Sequence, residues 1–123
     1  MRDRKTNQME IELTPEEQVL AEQIKKHYEE LAVFTVIEDE SHAWLSVSDP
    51  RFIDLARLVS SGYGYTKGNT IYLEEDAEMP AFIEQLKRLN VAYTLSELFI
   101  SGQWRGRHYP RNTRNEDYWN EQN

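Results

Sequence analysis

The chain has 123 residues, carries a net charge of −8 and is 39% hydrophobic and 29% charged. This mix is typical of one globular domain, and the negative charge argues against general affinity for nucleic acid, because phosphates would be repelled. The absence of cysteine excludes disulfides, thiolate metal sites and cysteine nucleophiles. No apolar run approaches the ~20 residues of a membrane span, and the N-terminus lacks the apolar core of a secretory signal, so we expect a cytoplasmic protein.

The first predicted element is a helix. Residues 1–13 are expected to form a flexible lead-in. The stretch "LTPEEQ" then indicates a helix start, since Thr14 can act as N-cap, Pro15 suits the first helical position, and Glu17 completes a capping box. Apolar residues at helical spacing predict that the helix continues to about Leu31.

A hairpin and a second helix follow. Residues 33–37 are β-branched and aromatic, "EDES" is typical of a turn, and residues 43–47 alternate in polarity. The tripeptide "SDP" indicates the start of a second helix, with Ser48 or Asp49 as its cap.

The next segment contains a loop, a strand and a helix. "SSGYGYTKGN" predicts a connection that uses glycine at positive φ angles. Residues 70–74 predict a third strand and residues 76–89 a third helix, for which Asn90 is a suitable C-terminal stop.

The last predicted strand covers residues 91–100. The parity of its apolar residues shifts near Ser96, which predicts a bulge or break. Residues 112–123 are expected to be a mobile tail, leaving 14–111 as a single domain. The order α-β-β-α-β-α-β predicts an α+β two-layer sandwich, with helices packed on a mixed sheet of about four strands.

An acidic cluster follows the third predicted strand in "IYLEEDAEMP". Its four acids could hold a divalent cation, could favour the N-terminus of the next helix through the helix dipole, or could form a patch for a basic partner. The strand lacks the lysine that an acid-x-lysine nuclease pair would need. Four aromatic residues could gather nearby, as a pocket or as a core. These aromatic residues are Trp44, Tyr63, Tyr65 and Tyr72.

The hairpin turn "EDESH" also combines carboxylates with an imidazole, the ligands of transition metals. Because turn residues usually point to solvent, we predict an ordinary charged turn and no metal site. The chain has neither a nucleophile elbow nor a phosphate loop. We therefore predict no cofactor and no enzymatic activity.

A third constellation is the C-terminal stretch "SGQWRGRHYPRNTR", which mixes cations with rings. It suits single-stranded nucleic acid or an acidic protein surface. The alternative is that its arginines lie on the protein's own acidic body while the tryptophan fills an edge of the core. The candidate contact residues are Trp104, Arg105, Arg107, His108, Tyr109, Arg111 and Arg114.

Three stretches, "HAWLSV", "SSGYGY" leading to "IYLEEDAEMPAF", and "RGRHYPR", resemble a family of small uncharacterised proteins of bacterial plasmids, phages and integrative elements. The resemblance covers about residues 42–111, and "YLEED" is its most specific part. Family members often continue with cysteine and aspartate, where this chain has Ala77 and Glu78, so a cysteine-dependent role does not carry over. The resemblance implies a mobile-element context, in which small acidic proteins can block host defence proteins, and no mechanism.

The leading hypothesis is a non-catalytic acidic binding module that contacts a protein partner with a basic surface. The alternatives are nucleic-acid binding through the C-terminal arginine and aromatic residues, and a divalent-metal-dependent hydrolase at the acidic cluster. The predicted acidic face consists of Glu38, Asp39, Glu40, Glu74, Glu75, Asp76 and Glu78.

Overall fold

The computed structural model describes residues 12–122, so nearly all of the predicted flexible lead-in lies outside the described residues. The chain divides into two compact units, Met1–Glu30 and Leu31–Asn123. The first unit contains helix α1 (Pro15–Glu30). Its capping box is formed as predicted: Thr14 N donates to Glu17 Oε1 at 2.9 Å, and Glu17 N donates to Thr14 Oγ1 at 3.2 Å.

The second unit is built on a five-stranded mixed sheet, which confirms the α+β class. The strand order is β3-β4-β2-β1-β5; β1 and β5 are parallel and the other pairs are antiparallel. The strands are β1 (Ala32–Glu38), β2 (Ala43–Val47), β3 (Tyr65–Lys67), β4 (Thr70–Glu74) and β5 (Tyr93–Phe99).

Strand β3 is the one that the sequence analysis missed, because it lies inside the predicted glycine-rich connection. It pairs with β4 through a two-residue turn in which Gly68 has φ +60°. Glycine at the first central position is typical of a tight hairpin turn. A strand of three residues is too short to show an alternating pattern, so only the turn chemistry could have indicated it.

The predicted bulge in the last strand is wrong. Strand β5 pairs with β1 in one unbroken register, from Ala32 opposite Tyr93 to Glu38 opposite Phe99. Its residues from Thr94 onward are all exposed. On such an exposed edge strand, burial does not dictate which face carries the apolar side chains. The change in the apolar alternation near Ser96 therefore needs no bulge in the backbone.

The helices of this unit begin and end at residues with suitable local chemistry. A 3₁₀ turn at Pro50–Phe52 precedes α2 (Ile53–Leu58), and its cap Asp49 accepts a hydrogen bond from Arg51 N at 3.0 Å. Helix α3 spans Glu78–Arg88, and Asn90 ends it at φ +56° as predicted.

Helices α2 and α3 cover one face of the sheet and bury the main core with it. Phe34 lies at its centre, with its ring edge-on to Phe52 at 5.5 Å and to Phe82 at 5.3 Å. Alternate residues of β1, β2 and β4 point to this side. The buried members are Ala32, Phe34, Leu45, Val47, Phe52, Ala56, Val59, Ile71, Leu73, Phe82 and Leu86.

The opposite face carries a second, aromatic cluster that the C-terminal segment covers. Trp104 packs against Trp44 at a ring-centroid distance of 4.6 Å and against Tyr72 at 4.7 Å. Tyr65 and Ile37 complete its buried part. The chain returns after a 3₁₀ turn to lie beside β3, where Thr66 N donates to the carbonyl of Pro110 at 2.8 Å.

The segment 112–123 is predicted from the sequence to be a mobile tail. The structure gives the segment a short helix, α4 (Glu116–Glu121), where sequence reasoning assigned no element. Trp119 Nε1 donates to the Ser60 carbonyl at 2.9 Å, and Tyr118 packs against the main core. No helix within residues 12–122 is long and apolar enough to cross a membrane.

Candidate functional site

The sheet topology gathers the predicted acidic residues at one end. Strand β2 runs antiparallel to both β1 and β4, so its first residues lie beside the last residues of its two neighbours. Glu38 is paired with Ala43, and Trp44 is paired with Glu74. The hairpin turn and the acidic cluster therefore meet at the same end of the sheet, although they are more than thirty positions apart in the sequence.

A pocket of about 320 Å³ opens at this end of the sheet. The buried rings of Trp44 and Tyr65 line it together with the exposed ring of Tyr63. The acids Glu75 and Asp76 also line the pocket, and so do two arginines of the C-terminal segment, Arg107 and Arg111. Of the four aromatic residues that the sequence suggested could gather here, Tyr72 alone does not line the pocket; it packs in the aromatic cluster.

Asp39 and Arg107 form an ion pair beside this pocket. Arg107 Nε lies 3.0 Å from Asp39 Oδ2, and the Asp39 side chain is fully buried. The carboxylate also accepts hydrogen bonds from the backbone N–H groups of Ser41, His42 and Trp104. The Arg107 hydrogen bond, and after it these N–H groups, hold the pKa of Asp39 well below its usual range, although burial alone would raise it.

The two pocket arginines each lie over an aromatic ring. The Arg107 guanidinium is 5.1 Å from the Trp44 ring centroid, and that of Arg111 is 4.8 Å from the Tyr65 centroid. Arg111 Nη1 donates to the Tyr63 carbonyl at 2.8 Å. This contact fixes the backbone from which the Tyr63 ring projects, and Arg111 itself is exposed.

Glu74, the last residue of β4, accepts hydrogen bonds with its side chain at the start of helix α3, whose N-cap residue is Ala77. Its Oε1 accepts from Ala77 N at 2.6 Å and Glu78 N at 3.0 Å, and its Oε2 accepts from Asp76 N at 2.8 Å. These are N–H groups that a helix leaves unpaired at its start. The junction interpretation of the acidic cluster therefore describes Glu74 well, because both of its oxygens are occupied.

Glu78 is entirely buried, which removes it from any exposed acidic face. Its carboxylate accepts from Ser61 N at 2.6 Å, Ser61 Oγ at 3.0 Å and Glu74 N at 3.0 Å. A Cβ on Gly64 would overlap this carboxylate and the Tyr72 carbonyl. The "SSGYGY" stretch thus encloses a buried carboxylate, a role that its sequence gave no signal for.

The remaining predicted acids differ in exposure. Asp39 is buried, so it too is inaccessible to a partner. Glu38, Glu40 and Asp76 are exposed, and Glu40 accepts a hydrogen bond from Gly102 N. Glu75 lies 3.4 Å from His42 Nδ1 and has a side chain 38% exposed. The exposed acids of the predicted face are consequently Glu38, Glu40 and Asp76, and Glu75 is partly exposed.

Two of the four carboxylates of the acidic cluster are occupied by hydrogen bonds within the protein. Glu74 and Glu78 direct their carboxylates at backbone N–H groups. Among residues 12–122, no group of three or more histidine, aspartate or glutamate side chains is arranged to hold a metal ion.

The C-terminal residues that the sequence suggested for binding single-stranded nucleic acid differ in their accessibility. Trp104 is 7% exposed, and Tyr109 packs against it with 5.7 Å between ring centroids. Stacking surfaces for bases must be accessible, so the buried ring of Trp104 does not offer one, and Tyr109 is half-buried. Arg114 Nε lies 2.8 Å from Glu116 Oε1. Arg105 and His108 are exposed.

This chain is therefore an α+β protein with a small aromatic and charged pocket at one end of its sheet. In comparisons with known proteins, no family model, no curated protein and no solved structure matches the chain. The resemblance to proteins of mobile elements stays an expectation from the sequence.

Proposed function

We propose that the protein is a non-catalytic binding module that holds a basic segment of a protein partner at the pocket end of its sheet. One side chain of that segment, lysine or arginine, enters the pocket between the Tyr63 ring and the carboxylates of Glu75 and Asp76. The observation that carries this proposal is that the exposed ring of Tyr63, the partly exposed Glu75 and the exposed Asp76 line one preformed cavity.

The chemistry of the pocket suits a cation. A ring face and a carboxylate attract a guanidinium or ammonium group together, the ring through its quadrupole and the carboxylate through its charge. The protein already uses this arrangement internally, since Arg107 lies over Trp44 while it pairs with Asp39. Because Asp39 neutralises Arg107, Arg111 is the pocket arginine that is left to oppose Glu75 and Asp76.

Electrostatics over a longer range favour the same kind of partner. The chain carries a net charge of −8, and Glu38 and Glu40 extend the exposed acids beyond the pocket. Such a field speeds encounter with a basic surface and weakens as salt is added. The sequence resemblance to proteins of mobile elements suggests a basic host protein as that partner.

The two alternative functions receive less support from the site. Nucleic-acid binding would use Trp104, Arg107 and Tyr109, which are engaged in the aromatic cluster and in the ion pair with Asp39. A divalent-metal hydrolase would use Glu74 and Glu78, whose oxygens accept backbone hydrogen bonds.

The test is a titration of the labelled protein with N-acetyl-arginine methylamide and the corresponding lysine derivative, followed by ¹H–¹⁵N NMR. We expect saturable shifts at the amides of Tyr63, Glu75 and Asp76, which disappear in the double variant E75K/D76K. The matched control D54K/E121K makes the same charge change at exposed acids that do not line the pocket and should bind normally. Shifts that are absent, or that persist in E75K/D76K, would overturn the proposal.

A further inference from the structure

The two edges of the sheet are finished in different ways. At the β3 edge the chain returns on itself: Thr66 N donates to the Pro110 carbonyl at 2.8 Å, and Asn112 N donates to the Gly64 carbonyl at 3.0 Å. At the other edge, β5 pairs with β1 on one side, and no strand among residues 12–122 pairs with its outer side. Its outward N–H and C=O groups are therefore open to another strand.

Strand β5 also lacks the features that usually protect an exposed edge. It has seven residues, "YTLSELF", without lysine, proline or glycine, and its pairing with β1 contains no bulge. Its apolar side chains are exposed on both faces of the sheet: Leu95 is 41%, Leu98 50% and Phe99 62% accessible. An open, regular and apolar edge of this kind is a template for strand addition.

We propose that two copies of the chain form a symmetric dimer by antiparallel pairing of their β5 strands, with the two-fold axis at Ser96. A two-fold axis perpendicular to the sheet keeps the same face upward in both copies, so the two sheets become continuous. Helices α2 and α3 pack against β4, which lies three strands away from this edge, and they leave it accessible.

A second copy is favoured over a foreign strand because β5 is complementary to itself in this register. Tyr93 stands opposite the partner's Phe99 on one face, and Thr94 stands opposite the partner's Leu98 on the other. Aromatic cross-strand pairs such as Tyr93 with Phe99 stabilise antiparallel strands.

The charges agree with the same register. Glu97 is the only charged residue of β5 and stands opposite the partner's Leu95, so no two like charges are directly opposite; the two Glu97 residues are diagonal neighbours, about 8 Å apart. In a chain of net charge −8, this strand is a stretch where a second copy meets little repulsion, and the Debye length of about 8 Å at physiological salt screens the rest.

Because the chain contains no cysteine, single cysteines report the register directly. In the full-length S96C variant the two thiols lie at the axis, within the Cα separation that a disulfide allows, and mild oxidation should give the dimer almost quantitatively. The matched control T94C lies on the same strand and face, but its two Cα atoms would be about 13 Å apart along the strands. It should stay monomeric on a non-reducing gel.

The unmodified chain is measured in parallel by light scattering over a dilution series. We expect twice the 14.6 kDa chain mass at high concentration. L98K, which places lysine on the edge, should shift the dissociation constant at least tenfold, whereas L89K, an equally drastic change at a leucine 61% exposed outside β5, should not. A chain that is monomeric throughout the series, or S96C that forms disulfide no faster than T94C, would overturn the proposal. Folding of every variant is verified by circular dichroism.

Discussion

Arg107 Nε lies 3.0 Å from Asp39 Oδ2, and this buried pair ties the C-terminal segment to the turn of the first hairpin. The carboxylate has no accessible surface, while the Arg107 side chain is 22% exposed. The pair also holds the arginine over Trp44 at the wall of the pocket. Sixty-eight positions of sequence separate the two residues.

We expect D39A to lower the free energy of unfolding by about 3 kcal/mol, because removal of one partner leaves the partly buried Arg107 and several backbone N–H groups without their acceptor. Urea denaturation measures this through the transition midpoint at constant m-value. The control E84A removes the exposed carboxylate that pairs with Arg88 at 2.7 Å and should cost less than about 1 kcal/mol. Equal losses in the two variants would contradict the structural role of Asp39.

The same pair predicts how stability depends on pH. The folded-state pKa of Asp39 is held down, chiefly by the hydrogen bond from Arg107 and then by backbone N–H groups. The stabilisation is therefore complete above the unfolded-state pKa of about 3.9 and is lost as the pH falls from there toward the folded pKa.

Urea midpoints measured from pH 6 downward should fall more steeply for the native chain than for D39N, which has no carboxylate to titrate. Asp49, whose pKa is lowered by the Arg51 hydrogen bond, contributes to the acid loss in both proteins and cancels in the comparison. D54N alters an aspartate with a fully exposed side chain and should follow the native profile. Parallel profiles for the native chain and D39N would refute the assignment.

Glu74 is expected to stabilise the start of helix α3 through its hydrogen bonds, beyond its contribution to the negative charge of the protein. E74A removes the acceptor of three backbone N–H groups at the start of α3, and donors left without an acceptor cost about 1–2 kcal/mol. D76A, at an exposed neighbouring acid, should change the unfolding free energy by less than about 0.5 kcal/mol. Hydrogen exchange at the first turn of α3 should accelerate in E74A, and an unchanged exchange rate would count against this role of Glu74.

Gly64 is predicted to be intolerant of any side chain. A Cβ there would overlap the Tyr72 carbonyl, the Glu78 carboxylate and the Asn112 amide, so G64A should lose more than about 3 kcal/mol or fail to fold. G68N is the control, because Gly68 has open space around it and asparagine tolerates its φ of +60°. Thermal denaturation distinguishes them, and a G64A melting temperature near that of the native chain would be incompatible with this packing.

Trp104 is expected to act as a core residue. W104A removes the ring that covers Trp44 and Tyr72, and truncation of a buried aromatic residue costs about 3–5 kcal/mol. Near-ultraviolet circular dichroism should lose much of its aromatic signal. W119A, at the half-buried ring of α4, should cost less. If W104A were as stable as the native chain, the Trp104 ring would not be needed for the core. It could then serve for ligand stacking, and the nucleic-acid alternative would regain support.

The local features of the fold could be predicted from the sequence because their causes lie within a few residues. The capping box of Thr14 and Glu17, the hairpin of β1 and β2, and the end of α3 at Asn90 all follow from neighbouring side chains and backbone preferences. The α+β class follows from the order of these elements.

Burial was decided by the tertiary structure alone. Asp39 and Glu78 look like their exposed neighbours in the sequence, yet one is buried by Arg107 and Trp104 and the other by Ser61 and the Glu74 backbone. These contacts join positions far apart in the chain, and their geometry depends on which strands become neighbours. The sequence by itself determined how acidic the protein is and most of its helices and strands, β3 and α4 excepted. The packing of those elements decided which carboxylates are accessible, because only the folded sheet excludes water from some of them.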